Sequence, residues 1–128
     1  MSLSVSSKLV EQARNGKVGG QDFIACIRES LPRAWQIVET LAKRKQSKEN
    51  GVVKHAPRSM DDGTRGELLR MMASDAIRTA VEGYFGMMFA FQNCHSTAVF
   101  LIDEIEDYNQ FTSIEAQILN QSPELRDC

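Results

Sequence analysis

The chain has 128 residues, of which 42% are hydrophobic and 25% are charged, and its formal net charge is −2. This length suits one domain with its own hydrophobic core, and the average composition excludes collagen-like, low-complexity and wholly disordered classes. A nearly neutral chain gives no general case for binding nucleic acid or an anionic membrane. We therefore treat residues 1–128 as a single domain.

The charges are unevenly distributed along the chain. Residues 1–60 contain eleven basic and five acidic side chains, a net +6, whereas residues 61–128 contain four basic and twelve acidic ones, a net −8. Charges of opposite sign in the two halves indicate that the halves attract each other, within one chain or between two subunits.

Three helices are predicted in the N-terminal part of the chain. The first covers residues 4–15, and the glycine-rich segment 16–20 after it predicts a turn. A second helix starts near Asp22 and ends or kinks before Pro32, because proline interrupts the backbone hydrogen bonds of a helix. A third helix starts at about Pro32 and ends in what we call the basic cluster, which consists of Lys43, Arg44, Lys45 and Lys48.

The middle of the chain predicts a loop followed by a long helix. Residues 49–63 show no periodicity and exceed the usual connection of about 4–6 residues, so they predict a flexible loop. Thr64 and Glu67 have the spacing of a capping box, in which each side chain bonds the other residue's free amide. Apolar residues at helical spacing then predict one continuous helix that ends at Gly83 and Gly86.

Residues 87–102 predict a short β-hairpin, because two short apolar runs flank the polar segment 92–96. A helix remains an alternative, since periodicity alone does not settle short apolar runs. A last helix starts within residues 112–115, which have capping-box spacing. Its residues Ile114, Ile118 and Leu119 are expected to point inward. Residues 122–128 are a polar tail. The sequence thus predicts a helix-dominated α+β fold of about five helices and one hairpin, with an all-α bundle as the alternative.

Large apolar side chains are concentrated in and around the predicted hairpin. In a chain this small, such a concentration predicts a core that is partly shared with a second copy, and methionine suits adaptable interfaces. We therefore expect a homodimer. Its predicted interface consists of Met87, Met88, Phe89, Phe91 and Phe100.

Cys94 and His95 form the most conspicuous pair of reactive side chains. Thiolate and imidazole groups both bind transition metals, so the pair is a candidate metal or redox site. The chain has no Cys-x-x-Cys spacing, and the other candidate ligands are far away in sequence, which weighs against that site. Three cysteines without a secretory signal predict a cytoplasmic protein with reduced thiols.

No catalytic or cofactor motif of high specificity is present, so the sequence favours a role without catalysis and without a bound cofactor. We expect an accessory or regulatory protein that binds another protein. Its recognition surfaces would be the basic cluster and an acidic cluster, which we define as Asp103, Glu104, Glu106 and Asp107. The alternatives are a small Cys/His metal or redox protein and a nucleic-acid binder that uses the basic cluster. No apolar segment is long and continuous enough to predict a membrane span.

Overall fold

A computed structural model describes residues 2–48, 51–121 and 123. Within these residues seven helices and one three-stranded antiparallel sheet are found. The fold is therefore the helix-dominated α+β class expected, and the all-α alternative is wrong. The elements are α1 (Ser7–Arg14), α2 (Gly20–Ser30), α3 (Pro32–Gln46), β1 (Val53–His55), α4 (Asp62–Ala73), α5 (Asp75–Phe85), β2 (Met88–Gln92), β3 (Ser96–Phe100), α6 (Ile105–Phe111) and α7 (Ile114–Leu119).

The predicted hairpin is confirmed as β2 and β3, which pair in the register Phe89 with Val99. The strand order is β1-β3-β2, so β3 is central. The first strand lies inside the segment 49–63 that was predicted to be a loop, and its Val53 pairs with Val99. Three residues are too few to show a strand's alternating pattern, so only the pairing with β3 defines this strand. Residues 49 and 50 of that segment lie outside the described residues.

The main core lies between one face of the sheet and the helices α2 to α5. In α3, the side chains that face this core are Trp35, Val38, Leu41 and Ala42, and all four are buried. On the sheet, Phe89 and Val99 point to this face and are fully buried.

The opposite face of the sheet is covered by α6. Phe111 and Tyr108 of this helix contact Phe100, with ring centroids 5.6 Å apart in both pairs. The Gln92 side-chain amide donates to the Phe111 carbonyl oxygen over 2.8 Å, which fixes the end of α6 on β2. Both faces of the small sheet are thus occupied.

The long helix predicted after residue 64 is two helices. Ser74 separates them in an extended conformation, and its hydroxyl accepts a hydrogen bond from the Ile77 amide over 3.3 Å, so it caps α5. The cap of α4 is Asp61, which accepts from the Thr64 amide over 2.8 Å, and no Thr64–Glu67 box forms. The side-chain oxygen of a serine or aspartate can accept a backbone hydrogen bond in place of a helical carbonyl, and so it can end one helix and start another. The spacing of apolar residues gives no sign of such a break.

The last helix also begins one residue later than expected. The Ser113 hydroxyl accepts from the Ala116 amide over 3.1 Å and caps α7, whereas Thr112 donates back to the Tyr108 carbonyl oxygen. In the described part of the chain, none of the helices has the length and apolar character to cross a membrane. Of the predicted polar tail, residues 122–128, only residue 123 belongs to the described part of the chain. A cytoplasmic location stays a prediction.

Candidate functional site

The basic and acidic clusters meet inside the chain. The Lys45 ammonium lies 2.8 Å from the Glu104 carboxylate, and only 7% of the Lys45 side chain is exposed. Glu104 also accepts from the Leu101 amide over 2.7 Å. The hydrogen bond from Lys45, followed by the one from the Leu101 amide, holds the pKa of Glu104 below its usual value. This pair joins α3 to the start of α6, so it acts within one molecule.

The other charged residues of the two clusters are more accessible. Lys43 and Lys48 are exposed at the end of α3, and Arg44 donates to the Lys54 carbonyl oxygen over 3.3 Å. Asp103, Glu106 and Asp107 are exposed around the start of α6. The two predicted recognition surfaces therefore lie on either side of the buried Lys45–Glu104 pair, with charges of opposite sign side by side.

The residues predicted as a dimer interface are largely used inside the chain. Met87, Phe89 and Phe100 are buried, and Met88 and Phe91 are half-buried. They lie on opposite faces of the sheet, since Phe89 faces the main core and Phe100 faces α6. Their apolar character is explained without a second copy, and a dimer stays a prediction.

The expectation that α7 turns its apolar residues inward is wrong. Ile114, Ile118 and Leu119 are 76%, 66% and 80% exposed. We call these three residues the α7 apolar face. The helix is instead held by its polar side, because the Asn93 side-chain amide donates to the Gln117 carbonyl oxygen over 3.0 Å. The Gln117 side chain in turn donates to the Asn93 side-chain oxygen.

A second exposed apolar surface lies at the N-terminus of the chain. It is a groove of about 540 Å³ between residues 3–5, α1 and α2. We call it the N-terminal groove, and we define it by Val5, Val10, Ala13, Arg14, Val18 and Phe23. The valines are between 36% and 48% exposed. The sequence signal for this surface is three valines among polar residues.

The N-terminal groove continues into a neighbouring groove between α2 and α5, since Phe23 lines both. The second groove has a volume of about 530 Å³. At its edge the Arg28 guanidinium lies 4.5 Å from the centre of the Trp35 ring and donates to the Tyr84 hydroxyl over 3.1 Å. The two grooves therefore adjoin each other along α2.

The described residues give the Cys94–His95 pair no ligand set. His95 is buried, and its Nδ1 lies 2.7 Å from the Asn93 carbonyl oxygen. Cys94 is disulfide-bonded, which differs from the reduced thiols expected and leaves no thiolate for a metal. Across residues 2–48 and 51–121, no group of three or more Cys, His, Asp or Glu side chains could hold a metal ion.

The described residues thus form a small α+β fold with an exposed apolar face on α7 and adjoining apolar grooves along α2. A family model, KH NucS shadow, described as NucS shadow ORF, matches residues 1–128. The chain therefore belongs to the NucS shadow ORF family. No curated protein and no solved structure shows significant similarity to it.

Three Gly-x-x-Gly segments occur in the sequence, starting at Gly16, Gly63 and Gly83. The first of them joins α1 to α2 and has Lys17 in its centre. The carboxylate of Asp22 lies directly beside this loop, because a Cβ added at Gly19 would be 2.9 Å from its oxygen. Such a negative charge opposes the approach of a phosphate.

Proposed function

We propose that this protein is an accessory or regulatory protein that acts by binding another protein. The observation that carries the proposal is the α7 apolar face, on a helix in which no residue is buried. Soluble proteins that act alone rarely expose contiguous aliphatic surface, and larger patches commonly mark interaction sites. Each aliphatic side chain contributes about 1.5–3 kcal/mol when it is removed from water.

The way in which α7 is held supports a binding role. A helix of six residues is not stable by itself in water, so its conformation depends on its anchors. Those anchors are the Ser113 cap and the hydrogen bonds between Asn93 and Gln117. The apolar face is therefore presented in a fixed conformation, which lowers the entropy cost of binding a partner.

The test compares the full chain with its Ile118→Glu variant as immobilised bait, with Val52→Glu as control. Val52 is 46% exposed and lies before β1, away from α7, so the control adds the same charge elsewhere. We expect a binding partner, identified by mass and then titrated as a purified protein, to be retained by the wild type and the control. Ile118→Glu should weaken its binding at least about tenfold, equivalent to 1.4 kcal/mol. Equal binding to all three chains would contradict the proposal.

Nucleic-acid binding is a second candidate function. The name of the family model includes KH, which is also the name of a nucleic-acid-binding module whose Gly-x-x-Gly loop clamps the nucleic-acid backbone. The Gly16–Gly19 loop between α1 and α2 has this spacing. If the loop contacts the phosphate backbone, Lys17→Glu should weaken the binding of single-stranded RNA measured by fluorescence anisotropy. Asp22→Asn should strengthen it, and added salt should weaken it. A loss with Lys48→Glu alone would assign the binding to the basic cluster. Absence of binding at low salt would exclude this function.

A further inference from the structure

We propose that the α7 apolar face of one chain docks into the N-terminal groove of a second copy, which docks its own α7 in return. This inference rests on the proposed function, because it names the protein that α7 binds. Its starting point is that one chain carries both a protruding apolar helix and an apolar groove. Both are exposed in the single chain, so they do not cover each other within it.

The two surfaces are complementary in charge. The described segment 101–121 contains five carboxylates and no basic side chain, and Glu115 lies next to Ile114 on α7. The wall of the N-terminal groove contains Arg14, and the exposed Lys17 follows it in the adjoining turn. The groove lies in the net positive half of the chain and α7 lies in the net negative half. Complementary charges of this kind favour the encounter and fix the orientation of the partners.

Contact between two α7 helices fits the charges less well. Such a contact would bring the Glu115 side chains of both copies together. Like charges brought together at an interface cost free energy, whereas the N-terminal groove offers Glu115 the Arg14 guanidinium. The charge pattern therefore favours helix-into-groove docking over helix-on-helix docking.

Reciprocal exchange also doubles the buried surface. A two-fold arrangement repeats every contact, so the helix-into-groove contact occurs twice in one dimer. Stable interfaces bury about 1,200–2,000 Å² in total, so each contact needs to contribute only about half of that area. A six-residue helix with its flanking residues is of a suitable size for a contact of that kind.

The test uses one variant on each side of the proposed contact. Ile118→Glu puts a charge on the α7 apolar face, Val10→Glu puts one in the N-terminal groove, and Val52→Glu is the matched control. All three positions are exposed, so the substitutions should not disturb the core. The oligomeric state is measured by light scattering over a concentration series, and circular dichroism checks that each variant is folded.

We expect the wild type and Val52→Glu to be dimers at micromolar concentration. Each of the other variants alone should dimerise at least about a hundredfold more weakly, because both of its contacts lose about tenfold or more. Mixing the two variants should restore part of the dimer, since one of the two contacts is then free of substitutions. The second substitution in the other contact should cost little once the first has broken that contact. Leu119→Glu and Val18→Glu form a second pair of variants at exposed positions, should one of the first pair fail to fold.

Two results would overturn the inference. A monomeric wild type would exclude a second copy as the partner, whereas binding of another protein that depends on Ile118 would still support the proposed function. Loss of the dimer in Ile118→Glu but not in Val10→Glu would assign the contact to α7 against α7. Loss of binding to every protein tested, together with a monomeric wild type, would refute the proposed function as well.

Discussion

Glu67 is a buried carboxylate that completes a helix other than its own. Its oxygen accepts hydrogen bonds from the Arg33 and Ala34 amides, over 2.7 and 3.4 Å. These amides belong to the first turn of α3, which has no side-chain cap of its own. A carboxylate suits this place because it satisfies free amides and interacts favourably with the positive end of the helix dipole.

The Glu67→Ala substitution should therefore destabilise the protein by about 1–3 kcal/mol, the usual cost of leaving buried polar groups without partners. Glu67→Gln keeps an acceptor oxygen and should lose less. Urea unfolding followed by circular dichroism measures both, and Glu11→Ala, an exposed change on α1, is the control. A loss for Glu67→Ala no larger than that of the control would contradict this role.

The Lys45–Glu104 pair makes a prediction about pH. Because the folded protein lowers the pKa of Glu104, the pair stabilises the fold at pH values above the usual carboxyl pKa of 4.5. That contribution is lost as the pH falls below 4.5 and through the lower pKa of the folded state. Glu104→Gln has no such titration, so it should lose less stability than the wild type between pH 6 and pH 3.

The urea midpoint at each pH gives this difference, and Glu106→Gln is the control because Glu106 is an exposed neighbour. The comparison of the wild type with Glu104→Gln isolates one residue, since all other carboxylates titrate in both chains. If the wild type and Glu104→Gln lost equal stability on acidification, the pair would make no net contribution to the fold.

The end of α5 gives a prediction at the scale of a single element. Gly86 is the C-cap of α5 and has a φ of +67°, a backbone conformation that few residues with a side chain adopt. Gly83, in contrast, lies within the helix. An added Cβ meets nothing within 4 Å at either position, so only the backbone conformation differs. Gly86→Ala should destabilise by about 1–2 kcal/mol. Gly83→Ala should stabilise by about 0.5–1 kcal/mol. Thermal unfolding measures both, and two changes of equal sign would contradict this explanation.

The elements that could be predicted were those that local sequence determines. Helix α3 and the two apolar runs that form β2 and β3 are each determined by neighbouring residues, and both were predicted. The break at Ser74 was not, because α4 and α5 together keep one apolar rhythm and only the serine side chain interrupts it. Strand β1 was missed because it depends on β3, more than forty residues later.

The candidate site shows the same division. Periodicity correctly indicated that α7 is amphipathic, but it did not indicate which side faces the protein. That orientation is set by Asn93, which bonds Gln117 from 24 residues away. Charge patterning predicted attraction between the two halves of the chain, and the Lys45–Glu104 pair is one such contact within the molecule. The sequence alone could not show that this contact takes place inside one chain.

For the whole molecule, the proposed pairing of two copies predicts that stability depends on protein concentration. If the folded chain pairs with a second copy and the unfolded chain does not, mass action makes the thermal midpoint rise with protein concentration. For a chain of this length, we expect a rise of about 2 °C for each tenfold increase in concentration. Differential scanning calorimetry over a concentration series measures this slope.

The Ile114→Ser, Ile118→Ser double variant separates pairing from the stability of the single chain. Both side chains are largely exposed, so the change should leave the monomer's free energy of unfolding within about 0.5 kcal/mol of the wild type. Its midpoint should no longer depend on concentration, because the contact that couples the two copies is absent. A midpoint that fell equally at all concentrations would show instead that α7 stabilises its own chain, through contacts that its exposure in the single molecule does not suggest.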